Sequence, residues 1–378
     1  MVQPKPHPPA KAPPDSLEEL REAIDQVDRA LLAQLNQRAE LVESVGRLKR
    51  GTGTGVYESS RERRIVESLA AENPGPFPNA GLAPVFREII SATRSLEEPV
   101  QVAYLGPEGT YCHQAARHQF GELSRLASVP TITEVFAAVE GRKVELGVVP
   151  VENTTEGIVT PTYDALAQFD VTICAEIVLP ISHDLLSRSG RLEDVQRVAS
   201  HPQGLAQCRR WLERWLPDAE RIETTSTALA AREAAATDGT AAIASSMAAE
   251  AYDLRVIESA IEDRRDNSTR FLVLGQDPPS MSGNDRTSVV FTIRKDESGA
   301  LHRLIQPFAS CGVNLTTIQL RPIHGKPWEY LFFIDLEGHR SEERVMKALD
   351  EAARVANSCR VLGSFPQAEL DLGRGGRP

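Results

Sequence analysis

The chain has 378 residues, 41% of them hydrophobic and 25% charged, with a formal net charge of −11. That length suits two to four domains, and the apolar fraction is ample for packed cores. The acidic balance excludes a general nucleic-acid binder or a coat for anionic membranes, since both need a basic surface, although clustered Arg and Lys could still hold a small anion.

The opening stretch, MVQPKPHPPAKAPP, is proline-rich with no apolar centre, which predicts a disordered tail over 1–14 and no signal peptide. No segment approaches the roughly 18 consecutive apolar residues that cross a bilayer. Five scattered cysteines (112, 174, 208, 311, 359) contain no C-x-x-C pair. Free thiols in a cytoplasmic, reducing compartment are expected, so the Asn267-Ser268-Thr269 glycosylation pattern carries no meaning. The eight histidines lack zinc spacing, and "GTGTG" at 51–55 follows a helical pattern rather than a strand. No metal and no cofactor is predicted.

Residues 15–98 read as helical. Leu17, Leu20, Ile24, Val27, Leu31, Leu35, Leu41, Val42, Val45 and Leu48 keep one apolar stripe. A shorter helix is expected from Glu58 to Ala71, and a third carries Leu82, Val85, Phe86, Ile89, Ile90 and Thr93. So thin a core calls for a second subunit. Within the stripe, Ile24, Leu31, Arg38 and Val45 share a heptad frame, so Arg38 takes a core-facing slot where an unpaired guanidinium is costly. An ion pair to a Glu on another helix is one solution. Another is an anion site shared with Lys49, roughly 16 Å further along the axis. Arg21 lies roughly 25 Å from Arg38 and can join that site only from a partner chain. Glu58, Arg61 and Glu62 fall within one turn of the second helix.

From 100 to 278 the rhythm changes to short apolar strands such as VQVAYLG and RFLVLG separated by helical stretches, the α/β pattern. PPSMSGND reads as a linker. Residues 286–366 then follow the order βαββαβ, a ferredoxin-like sandwich, before a second tail over 367–378.

The helix LREAIDQVDRALLAQLNQRAELVESVGRLK resembles the long first helix of all-helical chorismate mutases, which form an intertwined dimer. The resemblance implies that Arg38, Lys49 and the partner's Arg21 hold the carboxylates of chorismate. Arg61 completes the cationic cluster, Glu58 and Glu62 face the ring hydroxyl, and Thr93 assists from the third helix. A second donor to the ether oxygen falls on Glu97, or on Glu98 one residue on, where the family usually has Gln.

Five loops of the middle segment, YLGPEGTYCHQAA, VVPVENTTEGIV, SHPQGLAQC, TTSTALAA and DNSTRFLVLG, together resemble prephenate dehydratase. That family has two α/β lobes similar to periplasmic binding proteins. The resemblance implies that Thr269 is essential and that Arg270, next in a Thr-Arg-Phe triplet, brings a cation to the cleft. Asn153, Glu156 and Gln203 are implied prephenate contacts, and Cys112 stands where Ser or Thr is common. The third segment resembles the ACT regulatory domain, which binds phenylalanine at a dimer interface. Gly299, Ala300, Leu301, Asn314, Leu315 and Arg321 are the implied effector contacts, but the family's Glu-Ser-Arg-Pro is here Gln319-Leu320-Arg321-Pro322.

The expected protein is therefore a multidomain α and α/β homodimer or higher homo-oligomer that makes phenylpyruvate from chorismate, without nucleic-acid or membrane partners. Two other readings stay open at this point. The helical segment could serve only to dimerise a dehydratase, or the whole chain could be a non-catalytic amino-acid sensor.

Overall fold

A computed structural model describes residues 16–49, 58–96, 100–293, 298–323 and 329–368. Helix α1 (Leu17–Lys49) runs for 33 residues, and its apolar stripe sustains the helix over that length. After it come α2 (Ser59–Glu72), a 3-10 turn at Asn79–Gly81 and α3 (Leu82–Arg94). The third helix packs on both others. Yet Leu17, Leu20, Ile24, Val27, Leu31 and Leu35 of α1 each remain 38–65% exposed. The stripe predicted from the sequence exists, but within one chain much of it has no cover.

The first lobe of the middle domain is built from β1 (Gln101–Leu105), α4 (Tyr111–Phe120), β2 (Arg125–Val129), α5 (Ile132–Glu140), β3 (Leu146–Asn153), β4 (Gly157–Ile158), α6 (Thr160–Gln168) and β5 (Thr172–Pro180). Thr110 caps α4 by accepting from the His113 N–H, and Thr131 caps α5 by accepting from Glu134.

The chain then crosses to a second lobe containing β6 (Asp184–Ser187), β7 (Arg197–Ser200), α7 (Pro202–Gln207), α8 (Arg209–Trp215), β8 (Glu220–Glu223), α9 (Thr227–Ala236), β9 (Thr240–Ala244), α10 (Ser246–Ala251) and β10 (Arg255–Glu258). It returns as β11 (Ser268–Gly275), inserted antiparallel between β3 and β5, so the first sheet has the order β2-β1-β3-β11-β5. The second sheet is β10-β6-β9-β7-β8. Two crossings at one side of two sheets leave a cleft between lobes, and β11 begins at its edge.

The last domain comprises β12 (Asp285–Thr292), α11 (Ala300–Ser310), β13 (Leu315–Pro322), β14 (Tyr330–Glu337), α12 (Glu343–Val355) and β15 (Ser358–Pro366). Its sheet order β13-β14-β12-β15 is the ferredoxin-like arrangement expected from the βαββαβ pattern. The expected tail over 367–378 needs correction at its start. Gln367 N–H donates to the Asn284 carbonyl at 2.9 Å and Ala368 N–H to Glu176 at 2.9 Å, so these two residues are pinned. The tail over 1–14 and the GTGTG stretch lie outside the described residues.

This domain docks on the first lobe through a shared core, in which Val290, Phe333, Leu362 and Phe365 cluster with Val149, Tyr163 and Leu272. The approach is closest at Gly363, where an added Cβ would sit 2.2 Å from the Ile173 carbonyl oxygen of β5. Gly363→Ala must force the two backbones apart. We expect it to lower unfolding free energy by roughly 1–3 kcal/mol, the usual cost of overpacking. Denaturant melts of both proteins check this, and unchanged stability would mean that the docking is loose.

Candidate active sites

The cleft between the lobes encloses about 320 Å³, within the range of small-molecule sites. Thr110, Asn153, Glu156, Gln203, Thr225, Asn267, Thr269 and Phe271 are among its lining residues. Four residues predicted from the sequence, Asn153, Glu156, Gln203 and Thr269, thus converge from three separate stretches. Strand pairing explains the central contact: Thr269 on β11 lies opposite Asn153 at the end of β3.

The Asn153 side chain has its orientation fixed by its surroundings. Its Oδ1 accepts from the N–H groups of Thr155 at 2.9 Å and Glu156 at 3.0 Å. Its Nδ2 must therefore face the other way, where it donates to Thr269 Oγ1 at 2.8 Å and Asn267 Oδ1 at 2.8 Å. Thr269 is buried, and its oxygen is an acceptor in this contact, so the hydroxyl proton is left for another partner. Behind Asn267, a chain of side chains continues through Gln207 to His183 Nε2 and from His183 Nδ1 to Tyr111 Oη. Burial, partly opposed by Gln207 and nearby carboxylates, lowers the His183 pKa, so its neutral form is favoured. Cys112 also faces the cleft, with burial pushing its thiol up to about 12, which makes it an inert wall.

The expectation for Arg270 is corrected. Its guanidinium lies on the opposite face of the sheet, donating to Glu176 at 2.7 Å and to Asp335 of the last domain at 2.7 Å. The reason is strand periodicity: neighbours alternate between faces, so if Thr269 faces the cleft, Arg270 cannot. Among the described lining residues there is neither Lys nor Arg. Positive potential comes instead from the N-termini of α4 (Thr110) and α9 (Thr225, Ser226), which approach from opposite lobes. That signal was present in the sequence as Thr and Ser caps ahead of helical stretches, but only the fold aims both at one cavity.

In the helical unit, Arg38 is half-buried and donates to the hydroxyl of Thr93, a predicted neighbour. Thr93 in turn donates to the Ile89 carbonyl at 2.8 Å. Burial and the nearby positive charge of Arg61 lower the Arg38 pKa. Among the described residues no carboxylate pairs with Arg38 or Arg61, and the Arg38 guanidinium meets the Thr93 hydroxyl. The acidic residues differ from expectation. Glu62 is engaged by Arg94, while Glu58 accepts from Ser280 Oγ at 2.9 Å and lies 3.6 Å from Arg64. Arg21 is exposed, far along α1 from Arg38. The Lys49 side chain, Glu97 and Glu98 lie outside the described residues.

In the last domain Gly299 caps α11 with φ of 77°, a left-handed conformation that favours glycine, ahead of Ala300 and the half-exposed Leu301. Asn314 donates to Glu337 at 3.1 Å at the far end of that helix, next to Leu315. Arg321 corrects expectation: it forms a forked ion pair with Asp164 of α6, at 2.9–3.1 Å, and is spent on the first lobe.

A helical unit with an arginine pair that meets no carboxylate among the described residues, a two-lobed α/β domain with a polar cleft and a docked βαββαβ domain give the architecture of a multidomain enzyme. Family profiles agree segment by segment: chorismate mutase type II matches residues 20–98, prephenate dehydratase 102–279 and the ACT domain 287–354. A bifunctional chorismate mutase/prephenate dehydratase of Aquifex aeolicus is 44% identical over 94% of this chain and 99% of its own. The chain belongs to the bifunctional chorismate mutase/prephenate dehydratases. Among solved structures, a prephenate dehydratase of Arthrobacter aurescens in complex with L-Phe aligns with TM-score 0.66 at 33% identity, covering 71% of this chain and 90% of that one. GqqA, described as a novel type of quorum quenching acylase, aligns with TM-score 0.65 at 27% identity, covering 71% of this chain and 98% of that one. One fold thus carries different descriptions, and the site has to decide the chemistry.

Proposed function

We propose that the helical unit rearranges chorismate to prephenate and that the cleft converts prephenate to phenylpyruvate, carbon dioxide and water. The observation that carries the second step is the Asn153–Thr269 contact. Asn153 occupies the Thr269 oxygen as an acceptor, so the Thr269 proton is free for the ring hydroxyl as it departs. A Thr hydroxyl is a poor acid, so it acts as an oriented donor that stabilises the leaving oxygen. Carboxylate loss and ring aromatisation supply the electrons that expel that oxygen. The helix N-termini of α4 and α9 hold the two carboxylates, and the apolar wall around Phe271 holds the ring. Asn153, Glu156 and Gln203 are contact residues in this reading, and Arg270 is not.

The mutase step is pericyclic and needs no acid, base or nucleophile. Arg38 and Arg61 hold the dianion in its compact conformer, and Thr93 fixes Arg38. Lys49, Glu97 and a partner's Arg21 are assigned here by resemblance alone, and Glu58 and Glu62 are secondary because both already have partners. The exposed apolar stripe of α1 supports a homodimer in which a second α1 covers it. The acidic composition and free thiols fit a cytoplasmic enzyme. Feeding chorismate to the pure protein with no added cofactor tests the whole reading. Phenylpyruvate is the expected product; prephenate alone would leave only the mutase, and no turnover would favour a sensor.

Phenylalanine is the proposed effector. Gly299–Leu301 and Asn314–Leu315 lie at opposite ends of α11, roughly 16 Å apart, so one small molecule touching both sets must sit between two chains. With Gln319 and Leu320 in place of an acidic and a hydroxyl residue, its grip should be weak. The double substitution Gln319→Glu with Leu320→Ser is expected to tighten phenylalanine binding about tenfold, the worth of one charged hydrogen bond. Calorimetry reads this directly, and tight binding by the unsubstituted protein would contradict it.

A further inference from the structure

The residue that does not face the cleft has a position of its own to explain. Arg270 follows Thr269 directly, and its side chain is 11% exposed. It bridges Glu176 on β5 and Asp335 on β14 of the ACT domain, each at 2.7 Å. Arg286 of β12 sits 3.5 Å from the same Glu176 and 3.8 Å from the same Asp335, so two cations and two carboxylates neutralise one another in the interface. Ser288 Oγ donates to the second oxygen of Asp335 at 2.5 Å, and the Ala368 N–H donates to the second oxygen of Glu176 at 2.9 Å. Burial works against the charge on Arg270, but Asp335 and Glu176 outweigh it and raise its pKa above the ordinary value. The network is largely buried, with the Arg286 Nε left without a hydrogen-bond partner.

Its place in the sheet matters. On the β3 side, Thr269 pairs with Asn153 and Arg270 with Glu152, but Phe271 pairs with Pro150, so Val151 is an extra residue. Such a bulge interrupts the β3 ladder beside the site and bends it locally. The β5 ladder still pairs 268–273 without interruption, and side-chain anchors add to it in keeping Thr269 opposite Asn153. Arg270 is the anchor next in the chain, and half of its grip comes from the ACT domain. The same domain also holds α6 of the first lobe, behind the cleft. Arg321 pairs with Asp164, and Arg360 donates to the Leu166 and Phe169 carbonyls of α6. That helix directly follows the Glu156–Val159 segment of the cleft lining.

We propose that Arg270 is a positioning residue: clamped between Glu176 and Asp335, it sets the Thr269 hydroxyl against Asn153, so that prephenate turnover depends on the docked ACT domain of the same chain. The inference rests on the functional reading above, and turnover of prephenate by the unsubstituted protein is the control that separates failure of that reading from failure of this one.

Asp335→Asn in the full-length protein is the first test, because Asp335 lies outside the cleft and Arg270 keeps Glu176 as a partner. The kcat for prephenate should fall tenfold or more, since small misplacements of a reacting group are that costly. KM for prephenate should change less than threefold and the mutase kcat less than twofold. Arg270→Lys, which keeps the charge but cannot fork to both carboxylates, should show the same split. The double variant should be no more than threefold worse than the poorer single, because both act through one clamp. A kcat within twofold of wild type in Asp335→Asn overturns the proposal. So does a rise in KM at constant kcat, which would make Arg270 a substrate ligand. Parallel loss of mutase activity or of cooperative unfolding in both variants also overturns it, since the network would then be plain structural support.

Discussion

Thr269→Ala is expected to abolish phenylpyruvate formation, by 10²-fold or more, while chorismate consumption stays within about twofold of wild type. Loss of one preorganised donor to a developing charge typically costs 10²–10³-fold. The separation of the two activities follows from the fold, because Thr269 opens β11 at the interlobe cleft while Arg38 and Thr93 belong to the helical unit. The substitution removes the acceptor for one Asn153 N–H, which costs about 1–3 kcal/mol if water does not replace it. The protein should therefore melt somewhat earlier and still fold. Thr269→Ser retains the hydroxyl and the Asn153 contact and should recover much of the rate, with the residual loss reporting the methyl group that fixes the rotamer. Steady-state rates on prephenate and on chorismate, with thermal melts, decide this. Dehydratase activity within threefold of wild type in Thr269→Ala would reduce Thr269 to a turn residue.

The contrast between Thr269 and Arg270 shows what was legible in the sequence and what was not. Apolar periodicity marked the long helix, the α/β segment and the βαββαβ order, because each rests on local repeats of 3.6 or 2 residues. Thr269, Asn153, Glu156 and Gln203 were implied by the resemblance of their loops to prephenate dehydratase, and the cleft gathers them. Arg270 was misread because the triplet was taken as one functional unit. Strict alternation along a strand already forbade that, and only the identity of its partners needed the fold. Glu176 lies 94 residues and Asp335 65 residues from Arg270 in sequence, so no local pattern pairs either with it. The same limit applies to Arg321, whose partner Asp164 sits on another domain. The helix N-termini that replace the expected cleft cations were visible as caps, but their convergence is a property of tertiary structure.

Arg38 presents the opposite case, in which the sequence posed a question that the structure sharpens. A cation in an apolar stripe needs a counter-charge, and the neighbours supplied by the fold are the Thr93 hydroxyl and the like charge of Arg61. Burial and Arg61 both lower its pKa, which means that its charged form is held at a cost in the empty protein. A folded-state pKa depressed for a base contributes no stability at neutral pH, so removing the group should not destabilise the fold through charge loss. Residues held against such a cost are characteristic of ligand sites. Arg38→Ala is accordingly expected to lower mutase kcat/KM by roughly 10²-fold or more, with a melting temperature equal to or slightly above that of wild type. Dehydratase rates on prephenate should be unchanged, because no residue of α1 is among the described residues that line the cleft. Arg38→Lys should recover only part of the loss, since an ammonium cannot engage Thr93 and a carboxylate in the forked geometry of a guanidinium. Mutase kinetics and calorimetric melts of the three proteins measure all of this. A large fall in melting temperature with a rate change under fivefold would mean that Arg38 is a structural group whose counter-charge comes from elsewhere, and the anion-site assignment would have to be abandoned.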